Sequence, residues 1–206
     1  MARIKQPIYN RAMALLIYYY GPMSSGKSTM ALQMNHTLAE SGLTGLLLTQ
    51  VAHWAKPYVV SRLGVDKQAV EFDGKDLFAL LMERPDVRYV IVDEAQFLQS
   101  EQVEQLCQAV DSLGVDVHAF GLKTDFRGEM FPGSRKLLEM ADMERELPVP
   151  VYCWCGERGR FNARIVDGAV ARQGEQVLVG DVVADADVFY RVLCRRHFLD
   201  GTWQRR

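Results

Sequence analysis

Gly21-Pro-Met-Ser-Ser-Gly-Lys-Ser28 is the stretch that decides how this chain folds. It is a complete G-x-x-x-x-G-K-[ST] phosphate loop, set between the apolar run Ala14–Tyr20 and a helical pattern that begins at Lys27. The motif acquires physical meaning from those flanks, because strand, loop and helix together aim backbone N–H groups and a helix N-terminus at one anion. Across Gly21, Pro22, Met23, Ser24, Ser25, Gly26, Lys27 and Ser28 the expectation is a cradle for the phosphates of a nucleoside triphosphate. Lys27 is expected to reach the β- and γ-phosphates, and the Ser28 hydroxyl to ligate Mg²⁺.

A chain of 206 residues with 49% hydrophobic content can bury a sizeable core, and suits one main domain with a small appendage. Its 24 basic and 26 acidic residues are interspersed and leave a net charge of −2, which gives no electrostatic footprint for nucleic acid. The longest apolar run, Ala12 to Tyr20, is too short to span a membrane, so a cytoplasmic protein is expected.

Short runs rich in β-formers recur at Ala14–Tyr20, Leu46–Thr49, Tyr89–Val92 and Val115–Leu122, with helical spacing between them. That alternation predicts an α/β fold, a mainly parallel sheet flanked by helices. After the loop, Met30, Met34 and Leu38 share one helix face and Gly42 ends it. Asp76 is expected to cap a helix carrying Leu77, Leu80 and Leu81. Ser100 is expected to cap one carrying Val103, Leu106, Cys107, Val110 and Leu113, stopped by Gly114. A functional loop over 123–133 and a helix over Ser134–Asp142 follow. The prolines of Leu147-Pro-Val-Pro150 then mark a domain boundary, giving domains 1–148 and 149–206, and short strands are expected at Arg160–Val166 and Gln176–Val179.

Two further constellations carry chemistry. Tyr89-Val-Ile-Val-Asp93-Glu94-Ala95-Gln96-Phe97 is an apolar strand ending in paired carboxylates, which puts Asp93 at the sheet edge near the phosphate loop. An acid there can hold Mg²⁺, and the next acid can serve as a base toward a nucleophile. Cys153-Trp-Cys155 and Cys194-Arg-Arg-His197 supply three thiolates and an imidazole, the ligand set of a closed, stabilising zinc site. The first pair has one spacer where zinc knuckles usually have more, and the competing reading is buried thiols with a surface histidine. Bound zinc would clamp the base of the segment between the pairs.

Together with Gly121-Leu-Lys-Thr-Asp-Phe-Arg-Gly-Glu-Met-Phe131 and Gly174-Glu-Gln-Val-Leu-Val-Gly180, these stretches make the chain resemble the type II, zinc-containing thymidine kinases. The resemblance covers most of the chain. It implies a RecA-like P-loop NTPase domain with a small zinc-ribbon-like lasso domain, and transfer of the ATP γ-phosphate to the 5′-hydroxyl of thymidine. It implies Glu94 as general base, Asp93 as the magnesium-side acid, ATP contacts that extend to Ala95 and Gln96, and Arg127 as a further neutralising charge. It places thymine against Met23, Phe97, Leu122, Phe126, Phe131, the backbone of Gln176, Val177, Leu178, Val179 and Gly180, and Tyr190. A homotetramer inhibited by dTTP is also implied. The chain departs from the family at Thr49–Tyr58, which lacks an Asp-x-Arg segment, and at Asp181–Phe189, which is long; altered base preference is the alternative those departures raise. A nucleic-acid-driven ATPase switch is the other, disfavoured by the lack of a basic stripe. His36, His53 and His118 are expected to be ordinary structural residues.

Overall fold

The computed structural model describes residues 13–50, 57–176 and 188–205. In chain order its elements are β1 (Leu16–Tyr20), α1 (Lys27–Glu40), β2 (Gly45–Thr49), β3 (Tyr58–Val60), β4 (Asp66–Gln68), β5 (Val70–Glu71), α2 (Leu77–Met82) and β6 (Tyr89–Val92). A 3-10 turn over Ala95–Phe97 follows, then α3 (Ser100–Leu113), β7 (Asp116–Gly121), α4 (Pro132–Met140), β8 (Met143–Glu146), β9 (Phe161–Val166), β10 (Ala169–Val170), β11 (Val188–Leu193) and α5 (Arg195–Asp200).

Six strands make one sheet in the order β5-β2-β6-β7-β1-β8, and every neighbouring pair in it is parallel. Parallel strands need crossovers, so helices cover both faces and the strands are apolar on both sides. Alternation along each strand sends Leu16, Tyr18, Leu48, Val90, Val92 and Val117 into the core beneath α2, α3 and α4. Leu47, Tyr89, Ile91 and Phe120 go to the opposite core, where Ala31 and Leu32 of α1 pack. Met30, Met34 and Leu38 border that second core as their spacing predicts.

Helix ends depart from expectation for identifiable reasons. Asp76 caps α2 as expected, its carboxylate accepting from Ala79 N at 2.9 Å. Ser100, by contrast, is the first residue of α3 and Gln99 is its cap. Gln102 wins that start: its Oε1 accepts from Gln99 N at 3.0 Å while its Nε2 donates to Phe72 O at 2.7 Å, tying α3 to the segment before α2. The helix expected over Ser134–Asp142 lies two residues earlier, because Pro132 presets the first helical φ. Asp142 leaves the helix to accept from Leu16 N at 2.7 Å.

β8, with the charged sequence Met-Glu-Arg-Glu, is an edge strand with no apolar signature. The antiparallel β3–β4 ribbon was equally silent in the sequence. Beyond β8, β10, β9 and β11 form a separate antiparallel sheet. Ala163, Ile165, Leu193 and Phe198 pack there with Cys153 and Cys194. β9 realises the strand expected over Arg160–Val166. Of the stretch expected over Gln176–Val179, Gln176 is not in a strand and the remainder lies outside the described residues. Among the described residues no helix is long and apolar enough to cross a membrane.

α4 presses directly onto the 3-10 turn at Gly133, where a Cβ would lie 2.6 Å from Leu98 O, 2.8 Å from Ala95 O and 2.9 Å from Gln96 O. Three backbone carbonyls cannot yield as a flexible side chain can. Gly133→Ala is therefore expected to lower the unfolding free energy by about 1–3 kcal/mol. Chemical denaturation measures this, and a variant as stable as the parent would show that the turn gives way freely.

Candidate active site

In an all-parallel sheet every strand's carboxyl end faces the same edge, and β7 lies between β1 and β6. The phosphate loop leaving β1, the acid pair leaving β6 and the 122–131 loop leaving β7 therefore meet. They line one cleft of about 930 Å³ that holds Lys27, Glu94, Phe97, Phe126, Phe131 and Tyr190 together.

The loop closes tightly because Gly21 has no Cβ; one there would lie 2.5 Å from Ser25 Oγ. Ser24 (φ 65°) and Gly26 (φ 84°) take the left-handed conformation that curls the chain into α1. Lys27 Nζ donates to the carbonyls of Gly21 at 3.2 Å and Pro22 at 2.8 Å. Burial pulls the Lys27 ammonium down to about 8, although the carboxylates of Glu94 and Asp93 oppose that shift. Met23 N donates to Asn162 Oδ1 at 2.7 Å, so the loop is tied to β9 of the second sheet.

Asp93 is buried beneath the cleft, near enough to Ser28 for its hydroxyl to lower the Asp93 carboxyl, so the two residues expected at Mg²⁺ are neighbours. Burial raises the Asp93 carboxyl to about 6, reinforced by Glu94 and opposed by Ser28 and Lys27. Glu94 adopts φ 55° and ψ 35°, a conformation rare for a non-glycine residue and often found at functional sites. That turn parts the neighbouring acids, leaving Glu94 on the cleft wall. Its Oε2 accepts from Gln96 Nε2 at 2.5 Å, while Gln96 Oε1 accepts from Leu122 N at 3.0 Å. Gln96 is only 1% exposed, so this bridge from β6 to the end of β7 is rigid. Ala95, expected near ATP, is instead packed in the main core and does not line the cleft.

The aromatic end is built on the same two loops. Phe97 and Phe131 meet edge to face with centroids 5.6 Å apart. Phe126 lies under the Arg164 guanidinium at 3.7 Å. Phe126 and Phe131 are both largely buried, so each is core and cleft wall at once. Met23, Leu122, Gln176 and Tyr190 line the same cleft, whereas Val177, Leu178, Val179 and Gly180 lie outside the described residues. The segment at Thr49–Tyr58 is described only at its two ends, and His53 and most of Asp181–Phe189 also fall outside.

Arg127 does not serve as the free charge expected of it. Its Nε and Nη2 bond Asp125 Oδ2 at 2.9 and 2.8 Å, Nη2 also meets Glu129 at 3.1 Å, and it does not line the cleft. Asp125 is the hub of that loop, accepting also from the backbone N–H groups of Arg127 and Glu129 and from Gln176 Nε2. Sequence reasoning also missed Arg164, which is 2% exposed and donates to Tyr190 Oη at 2.9 Å, Glu175 O at 2.8 Å and Gln176 O at 3.1 Å. An arginine within the alternation of β9 was its only signal. Asn162 and Arg62 were missed too, having no motif around them.

The sulfurs of Cys153, Cys155 and Cys194 and a ring nitrogen of His197 all lie within 4.8 Å of one another. Cys153 Sγ and Cys194 Sγ are each 3.4 Å from His197 Nδ1, and the Cys155 and Cys194 sulfurs are 4.0 Å apart. Tetrahedral bonds of about 2.3 Å to sulfur and about 2.0 Å to nitrogen need edges of this size, so the donor set fits a metal ion. The single spacer works because Gly156 (φ 89°) closes a tight turn, its N–H donating to Cys153 O at 2.9 Å. Cys194 opens α5, which carries His197 one turn on, and Trp154 stacks on that ring.

Residues 14–198 match the family model described as thymidine kinase. The chain is 47% identical to a thymidine kinase of Streptomyces coelicolor over 191 residues, covering 90% of this chain and 88% of that one. It is 44% identical to thymidine kinases of Cutibacterium acnes (92% and 90% covered) and Mesorhizobium japonicum (90% and 91% covered). Among solved structures it is similar to the genome packaging NTPase B204 of Sulfolobus turreted icosahedral virus 2, at TM-score 0.41 and 16% identity over 63% of this chain and 74% of that one.

The two shifted groups set an expected pH window. Asp93 must be ionised to attract a divalent cation and Lys27 must be protonated to attract phosphate. Affinity for a magnesium-loaded nucleoside triphosphate should therefore rise through about pH 6 and fall above about pH 8. Titration calorimetry from pH 5 to 9 would test it, and a flat profile would contradict it.

Proposed function

The chain belongs to the thymidine kinase family and phosphorylates thymidine at the expense of ATP, and on that premise we propose how its residues divide the work. Glu94 is the general base. It takes the proton from the thymidine 5′-hydroxyl as that oxygen bonds to the γ-phosphorus, the bond from phosphorus to the bridging oxygen breaks, and ADP leaves. The observation that carries this reading is the Gln96 bridge, which fixes the Glu94 carboxylate in the same cleft as Lys27. Phosphoryl transfer asks little covalent chemistry of a protein, so alignment and charge neutralisation supply most of the rate.

Lys27 and the loop N–H groups hold the phosphates, and Asp93 with Ser28 would hold Mg²⁺. When bound, Mg²⁺ supplies charge neutralisation across the β- and γ-phosphates. The nucleoside base lies at the aromatic end among Phe97, Phe126, Phe131 and Tyr190, and the resemblance assigns its reading to the backbone of residues 176–180. Arg164, stacked on Phe126, holds the carbonyls of Glu175 and Gln176 at that end of the cleft. Zinc on Cys153, Cys155, Cys194 and His197 stabilises a C-terminal domain, 149–206, that is separate from the nucleotide-binding domain 1–148. The resemblance further supports a cytoplasmic homotetramer under feedback inhibition by dTTP.

Glu94→Gln should reduce thymidine phosphorylation by at least about 100-fold while ATP affinity changes little. The readouts are coupled ADP release and calorimetric ATP binding; undiminished turnover would remove Glu94 from its role. For the metal, protein prepared without chelator should carry one zinc per chain by elemental analysis, and stripping it should lower the melting temperature. Metal-free protein that melts unchanged would sink the structural assignment.

A further inference from the structure

The β3–β4 ribbon brings a second cation to the phosphate loop. Arg62, in the turn between the two strands, donates from Nη1 to Ser24 Oγ at 2.6 Å and lines the same cleft as Lys27 and Glu94. We infer that Arg62 is a catalytic residue, a guanidinium supplied within the chain that hydrogen-bonds the γ-phosphoryl oxygens during transfer. This rests on the proposed kinase function.

Three observations carry it. The first is charge. Among the described residues lining the cleft the cationic side chains are Lys27 and Arg62, and the carboxylates are Glu94 and Asp125. Asp125 is already matched by Arg127. ATP with one magnesium ion keeps about two negative charges and Glu94 adds another, so Lys27 alone leaves an excess of negative charge that Arg62 reduces. The second is availability. Among the described residues no carboxylate lies within ion-pair reach of Arg62, whereas Arg127 is held by two. One bond to Ser24 leaves the rest of the five guanidinium N–H donors for phosphoryl oxygens.

The third is placement. The ribbon turn is fixed on the first turn of α1 by Ser61 Oγ, which lies 2.8 Å from Thr29 Oγ1 and accepts from Leu63 N at 3.1 Å. Ser61 N donates to Val65 O at 2.8 Å, and Val59 is buried against α1. Arg62 is thus presented from a pinned turn beside Ser24. A planar fork set where charge develops on the transferring group stabilises the transition state more than the ground state.

The test compares single-turnover phosphoryl transfer and calorimetric ATP affinity in the parent, Arg62→Ala and Arg62→Lys, with thymidine and Mg²⁺. The parent's own turnover judges the kinase function, and the ratio of variant to parent judges Arg62. The transfer rate should fall by about 100-fold or more in Arg62→Ala, with ATP affinity changed by less than about fivefold and activity partly restored by added guanidinium. Arg62→Lys, which keeps the charge but not the fork, should fall in between, and it decides the matter should the alanine variant fail to fold. A transfer rate within about threefold of the parent in both variants, or a loss confined to ATP affinity, overturns the inference.

Discussion

β7 runs parallel to both of its neighbours, β1 and β6, and the meeting of the phosphate loop, the acid pair and the 122–131 loop descends from that pairing. Tyr20 registers with Gly121 and Val92 with Ala119, so the phosphate loop, the acid pair and the loop after β7 start within a few residues of a common level. A single antiparallel strand among the three would have sent one of them to the far edge of the sheet. Tyr18 Oη and Ser134 Oγ both donate to Leu122 O, fixing the end of β7 just where Leu122 N holds Gln96. Glu94 is thereby braced by the same strand that sets the spacing.

Burial on this edge does electrostatic as well as structural work. Lys27 loses basicity because its ammonium is desolvated, and Asp93 loses acidity for the same reason and because Glu94 stands beside it. Both groups are thus poised to bind charge of the opposite sign. Glu94 escapes equal burial through a left-handed backbone turn, which separates two adjacent acids into one facing the loop serine and one facing the cleft. The parting of these neighbouring carboxylates is here a matter of one φ angle.

The second sheet is joined to the first chiefly where chemistry needs it. Asn162 holds the phosphate loop, and Arg164, two residues on along the same strand, holds the segment that borders the aromatic end. Strand alternation puts both on one face of β9. A metal ion held by the Cys153, Cys155, Cys194 and His197 cluster would therefore steady the cleft from outside it. Val60, Arg62 and Leu63 of the ribbon and its turn line the same cleft, so both sheets and the ribbon contribute to one volume.

Local pattern was sufficient wherever a single segment carries its own physics. The phosphate loop, the apolar runs of β1, β2, β6 and β7, the Asp76 cap and the two cysteine-containing pairs are short-range signals, and the structure forms the strands and the cap and brings the two pairs together. Edge strand β8 and the ribbon lay hidden because strands with little core to face need no apolar alternation. The start of α3 was misplaced because Gln102 takes its partners from another segment. Arg127 and Arg62 look alike as exposed loop arginines; only the fold shows that Asp125 occupies one, while the other stands at the phosphate loop. Residue type and spacing name the chemistry a segment can perform, but a long-range hydrogen bond or ion pair depends on distances that only the assembled sheet supplies.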